Sequence, residues 1–138
     1  DETGVAPAVN QVEAHPYFQQ AELHAFHGKH GIVTQAWSPF GGGGKGEVGA
    51  LLEDPVIARI ADKHGRAPSQ VVLRWHVARG MSVIPKATSR EHLAQNMAAL
   101  GFDLDAEDMA ALSALDRPDG RCGSKDPREF DFVGDLTA

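Results

Sequence analysis

The strongest constraint in this sequence is an order of elements: three short apolar runs, each followed by one or two capped helical segments. Residues 8–14 alternate, with Val9, Gln11 and Glu13 on one side of a strand and Asn10 and Val12 on the other. Residues 32–37 form a second, β-branched run ending at Trp37, and residues 81–85 a third. Residues 19–30 give a weak helical pattern carried by Leu23 and Phe26, ending near Gly28 and Gly31. Asp54 caps a helix with Pro55 at its first position, which buries Ile57, Ile60 and Ala61 and stops at Gly65. Pro68 opens the next helix, whose Val71, Val72, Trp75 and Ala78 share a stripe and make Trp75 a core residue; Gly80 closes it. Ser89 and Asp105 cap two further helices, the second with Leu104 and Met109 as a hydrophobic staple and Leu112 and Leu115 continuing its apolar stripe. Helices between successive strands act as crossovers, so the strands run parallel, and ligands bind beyond their carboxyl ends.

The polar residues gather where that rule points. After the third strand, Val83-Ile84-Pro85-Lys86-Ala87-Thr88-Ser89-Arg90 runs through a basic loop into a helix N-terminus. Lys86, Arg90 and His92 surround first-turn amides that attract a phosphate, and His92, Gln95 and Asn96 share one polar face. The apolar Leu93, Met97 and Leu100 are expected to pack on the other. An ordinary strand-to-helix connection has the same residue types, so the pattern alone leaves both readings open. After the second strand, Ser38-Pro39-Phe40 leads into Gly41, Gly42, Gly43 and Gly44. Lys45 is followed by Gly46 rather than Ser or Thr, which excludes a P-loop. Spacing favours a flexible connection there over a ligand lid.

Composition sets outer limits. The chain has 138 residues, 42% of them hydrophobic, enough for a globular core. No apolar run approaches the ~20 residues that span a bilayer, and no signal pattern opens the chain, so a cytoplasmic location without membrane contact is expected. A formal net charge of -6 argues against nucleic-acid binding. His24, His27 and His30 recur along one helix without a carboxylate or Cys among them, and read as solvated surface rather than as a metal site. The single Cys122 stands in a Gly-, Arg- and Asp-rich tail without an obvious paired base and reads as an incidental thiol. Residues 1–116 carry the strands and helices; residues 117–138, with Phe130 and Phe132, form a tail that folds back over the body. The opening Asp1-Glu2-Thr3-Gly4 lacks an initiator Met and reaches strand-forming residues almost at once, as a segment of a longer chain would.

Three segments carry a resemblance. The runs from Pro7 to Tyr17, from Ala36 to Gly41, and Val83-Ile84-Pro85-Lys86 with Asn96 are similar, in order and spacing, to signatures of the aldo-keto reductases, in particular the 2,5-diketogluconate reductase-like members. The resemblance implies a (β/α)8 TIM barrel of which this chain covers the last three βα units, a C-terminal helix and a tail. It also implies an NADP(H)-dependent oxidoreductase that reduces a small aldehyde or ketone by hydride transfer. Carried over by position, Gln11 bonds the nicotinamide carboxamide and Trp37 stacks on its ring. Ser38, Pro39, Phe40, Gly41 and Gly42 follow the pyrophosphate. Lys86, Ala87, Thr88 and His92 meet the 2′-phosphate, and Gln95 and Asn96 the adenine.

Two departures from the family pattern bear on the cofactor. Ala87 stands where the family often has Ser, and His92 where it commonly has Arg. His92 lacks the planar fork of Arg, so a weaker preference for NADPH and relaxed use of NAD(H) are expected. The family's catalytic Tyr, Lys, Asp and His belong to the first half of the barrel, so none is assigned here. By itself this portion is expected to be inactive, its missing N-terminal half acting as a partner. A non-catalytic nucleotide-binding or regulatory remnant, or an independent open-sheet binding domain, are the alternatives.

Overall fold

The computed structural model describes residues 3–42 and 50–122. Gly43 and Gly44 of the glycine run, and Phe130 and Phe132 of the tail, lie outside the described residues. The elements are β1 (Val9–Glu13), α1 (Ala21–His30), β2 (Val33–Trp37), α2 (Pro55–His64), α3 (Pro68–Ala78), β3 (Ser82–Val83), α4 (Arg90–Ala98) and α5 (Ala106–Ser113). The three strands are parallel in the order β1-β2-β3, as the alternation with helices requires. Gln11 pairs with Gln35, Glu13 with Trp37, and Ala36 with Val83. Among the described residues no helix is long and apolar enough to cross a membrane.

The expected local chemistry builds the outer layer. The Asp54 side chain accepts from the Val56 N–H at 2.8 Å, Pro55 takes the first position of α2, and Gly65 ends that helix in the left-handed region at φ 59°. Asp105 caps α5 by accepting from the Asp108 N–H at 2.9 Å, and the Asp108 carboxylate reaches back to the Asp105 N–H at 3.2 Å. Ile57, Ile60, Val71, Val72, Trp75 and Leu112 then close one core between α2, α3 and α5, with Leu104 and Met109 packed against it. Lys63 and His64 hold the buried Asp108 from below, at 2.8 and 2.7 Å.

Two expectations fail, for one reason each. His27 is buried, and His24 is partly so. Their helix packs on a polar strip of the sheet, where Asn10 and Thr34 are register partners. Both Nδ1 atoms lie 2.9 Å from Thr34 Oγ1, while His27 Nε2 meets Asn10 Nδ2 and His24 Nε2 meets the Arg79 carbonyl, each at 3.0 Å. All four ring nitrogens therefore have protein partners, and Phe26 is the exposed residue instead. Burial pulls both histidines below their ordinary pKa, aided by Arg79 at His24 and by His24 at His27. On α4 Leu93 and Met97 are exposed, as is Leu100 just beyond its end. The helix rests on α3 through its other side, where the Gln70 side chain donates to the Gln95 carbonyl at 3.0 Å and Ala99 is buried.

Candidate functional site

Side chains alternate across a strand, so Gln11, Gln35 and Trp37 share the sheet face opposite the helices. Gln11 Nε2 donates to Gln35 Oε1 at 2.7 Å, and Gln35 Nε2 to Ser82 Oγ at 3.3 Å, forming one amide chain across three strands. Trp37 is half-buried at the carboxyl end of β2. The backbone reverses directly after it: Ser38 adopts a positive φ of 49°, uncommon for a residue with a side chain, and its carbonyl accepts from the Gly41 N–H at 2.9 Å. Ser38 Oγ then donates to the Gly42 carbonyl at 3.2 Å, while Gly41 and Gly42 take φ values of 60° and 121° that glycine tolerates. Pro39 is buried and Phe40 packs against the outer core, which anchors this turn to the helical layer.

On the neighbouring strand the chain leaves β3 through Ile84, whose N–H donates to the Ala36 carbonyl at 3.3 Å. Lys86 and Thr88 are exposed and Ala87 half-buried on the way to α4. Ser89 is the expected N-cap, accepting the His92 N–H at 3.1 Å. His92 is exposed, Gln95 and Asn96 are half-buried, and Gln95 Nε2 donates to Glu91 Oε1 at 3.3 Å. The sheet thus brings Trp37, the Ser38–Gly42 turn and the Lys86–Ser89 loop to the carboxyl end of adjacent parallel strands, while Gln11, expected late in its strand, stands at the middle of β1 on the same face as Trp37. Their donors are a cation, first-turn amides and a flat aromatic, the set that a phosphorylated ligand with a planar ring requires.

The sequence matches the model of the Aldo/keto reductase family over residues 1–117. This chain belongs to that family. It is 45% identical over 134 residues to an aldo-keto reductase of Mycolicibacterium smegmatis, covering 97% of this chain and 46% of that one. To the methylglyoxal reductase DkgA of Escherichia coli it is 42% identical over 130 residues, covering 94% of this chain and 45% of the other. A crystal structure of a Gox0644 mutant in complex with NADPH superposes with a TM-score of 0.86 at 49% identity, over 95% of this chain and 46% of that chain. The chain spans about half the length of the curated relatives it matches. Its three parallel strands with outer helices are accordingly an arc of the aldo-keto reductase barrel.

One group of residues escaped the sequence reading. Tyr17, the only tyrosine of the sequence, donates to Asp54 Oδ2 at 2.7 Å beneath the Arg117 guanidinium, and burial together with that carboxylate pushes its pKa up to about 12. It fastens the segment after α5, whose Arg117 N–H donates to the Tyr17 carbonyl at 3.2 Å. That segment then carries Cys122 onto His15. Residues 15 and 122 are too far apart in sequence for any spacing signal to have joined them.

Proposed function

We propose that this chain forms the cofactor-holding part of an NADP(H)-dependent aldo-keto reductase acting on small aldehydes or ketones. The observation that carries the reading is the convergence of Trp37, the Ser38–Gly42 turn and Lys86 on one end of the parallel sheet. The family match and the NADPH complex of the Gox0644 mutant support it. When bound, NADPH supplies the hydride that adds to the carbonyl carbon. Trp37 offers the ring that orients the nicotinamide, and Gln11 the amide for its carboxamide. Ser38, Pro39, Phe40, Gly41 and Gly42 bring backbone close to the pyrophosphate. Lys86, with Ala87, Thr88 and the amides of the Ser89-capped turn, meets the 2′-phosphate. Gln95 and Asn96 flank the adenine.

In this reading the proton reaching the carbonyl oxygen comes from other strands of the barrel, because the hydroxyl of Tyr17, the only tyrosine of the sequence, is committed to Asp54. The same engagement is what favours a second reading, a nucleotide-binding protein without turnover. NADPH-dependent reduction of a generic aldehyde by the intact protein separates the two. For the binding assignment, titration of NADPH against Lys86→Met should show affinity reduced by tenfold or more, with NADH affected far less; equal losses for both cofactors would remove Lys86 from the 2′-phosphate. His92, in place of the family's common Arg, relaxes the preference toward NAD(H). His92→Arg should therefore raise the NADPH to NADH affinity ratio, and an unchanged ratio would refute that role.

A further inference from the structure

We propose that Glu13, His15 and Cys122 form a binding site for a borderline transition-metal cation of the zinc class, at the carboxyl end of β1 beside the glycine turn. This inference stands on geometry and is independent of the reductase reading. His15 Nε2 lies 3.2 Å from Glu13 Oε1 and 3.2 Å from Cys122 Sγ, and one donor atom from each of the three side chains lies within 4.8 Å of the others. A tetrahedral zinc ion bound to nitrogen, oxygen and sulfur separates its ligand atoms by about 3.3 to 3.6 Å, from bond lengths of about 2.0 Å to N and O and about 2.3 Å to S. The two spacings from His15 Nε2 need only a few tenths of an ångström of adjustment, and the Glu13 and Cys122 ligand atoms, within 4.8 Å of each other, close onto the same ion.

The arrangement is not that of a relayed nucleophile. A Cys–His–carboxylate relay places the thiol on one ring nitrogen and the carboxylate on the other. Here both converge on Nε2, which carries one proton or one lone pair. His15 is 1% exposed, and its Nδ1 is buried with no hydrogen-bond partner among the described residues. The ring is thus aimed into the cluster by its Nε2 side. With a divalent cation at the centre, a carboxylate, a thiolate and a neutral imidazole sum to zero charge, which suits a site where Glu13 and His15 are almost fully covered.

Backbone geometry holds the third ligand in place. Gly120 passes so close to Tyr17 that a Cβ there would sit 1.7 Å from the Tyr17 carbonyl oxygen, so only glycine lets the strap lie this low. The Cys122 N–H then donates to Glu13 Oε1, and Sγ accepts the Gly42 N–H at 2.9 Å. An amide pointing at sulfur favours the thiolate, the form that binds metal. A cavity of about 260 Å³, lined by His15, Gly41, Gly42, Arg121 and Cys122 among others, opens on the cluster and gives water access to a fourth coordination position. Binding releases the Cys122 thiol proton and any proton shared between Nε2 and Oε1.

The test is cobalt(II) titration of the intact, tag-free and metal-stripped protein. One Co²⁺ per chain should bind with thiolate-to-cobalt charge-transfer absorption and tetrahedral ligand-field bands, and zinc should displace it. Cys122→Ser should abolish the charge-transfer band, and His15→Gln should lower cobalt affinity at least about tenfold. Circular dichroism verifies that each variant is folded. Zinc should also protect Cys122 from alkylation, read by peptide mass mapping. Absence of charge-transfer absorption in the wild-type protein would overturn the site, as would a band that survives Cys122→Ser.

Discussion

The outer helical layer and the open face of the sheet both carry apolar side chains, yet they end in opposite states. Between α2, α3 and α5, Ile57, Val71, Val72, Trp75 and Leu112 are completely buried, and every helix start in that layer is Pro-led or carboxylate-capped. On the far side of the sheet, Val9, Val33 and Ile84 are 45 to 48% exposed around the Gln11–Gln35–Ser82 chain. The helical layer satisfies itself because each helix finds a neighbour within the same stretch of sequence. The sheet face has no facing element among the described residues, and it is there that the proposed nicotinamide contacts lie. Completeness of packing and candidacy for function are therefore separated across one sheet.

The comparison breaks most readily at Trp75. Trp75→Ala should destabilise the polypeptide by about 3–5 kcal/mol, the range for emptying an aromatic site in a core, as read by urea denaturation. A cost near 1 kcal/mol would mean that the helical layer is less consolidated than its burial implies. Next comes the acid response of that layer. His76, fully buried with Nε2 2.9 Å from the Ala14 carbonyl, is lowered by burial to about 4 from 6.5. The unfolded chain takes up that proton first, so stability should fall by about 3 kcal/mol as pH drops from 6.5 toward 4. Asp105 adds a second stage. Hydrogen bonding from Lys63 and from the Asp108 amide lowers it to about 2 from 3.8, so its contribution is intact above pH 4 and is lost as pH falls through 2. Denaturation midpoints against pH should show both stages, and Lys63→Met should flatten the lower one.

Asp108→Ala removes the partner of His64 and one of the two carboxylates on Lys63, and should cost about 2 kcal/mol, in line with hydrogen bonds to a buried carboxylate. At the small end, Val33→Ala on the open face should cost less than about 1 kcal/mol in the 138-residue polypeptide, because little area there leaves water. A loss as large as that at Trp75 would erase the contrast.

Much of this was written in local chemistry. Asp54-Pro55, Gly65, Ser89 and Asp105 act within a few residues of themselves, so the sequence by itself determined where α2, α4 and α5 begin and where α2 ends. Alternation of strands with helices determined the parallel sheet and the end of it to which Trp37 and Lys86 belong. The tertiary structure decided what depends on partners distant in the chain. His27 is buried because Asn10 and Thr34 make a polar strip for it, a match that periodicity on α1 alone cannot register. Leu93 and Met97 are exposed because α4 has a neighbour on one side, whatever its own amphipathicity. Cys122 meets His15 across 107 residues because Tyr17 and Gly120 fix a close backbone crossing. Caps and turns are short-range hydrogen bonds that a few residues specify; burial and side-chain clusters are set by whichever surfaces the completed chain brings face to face.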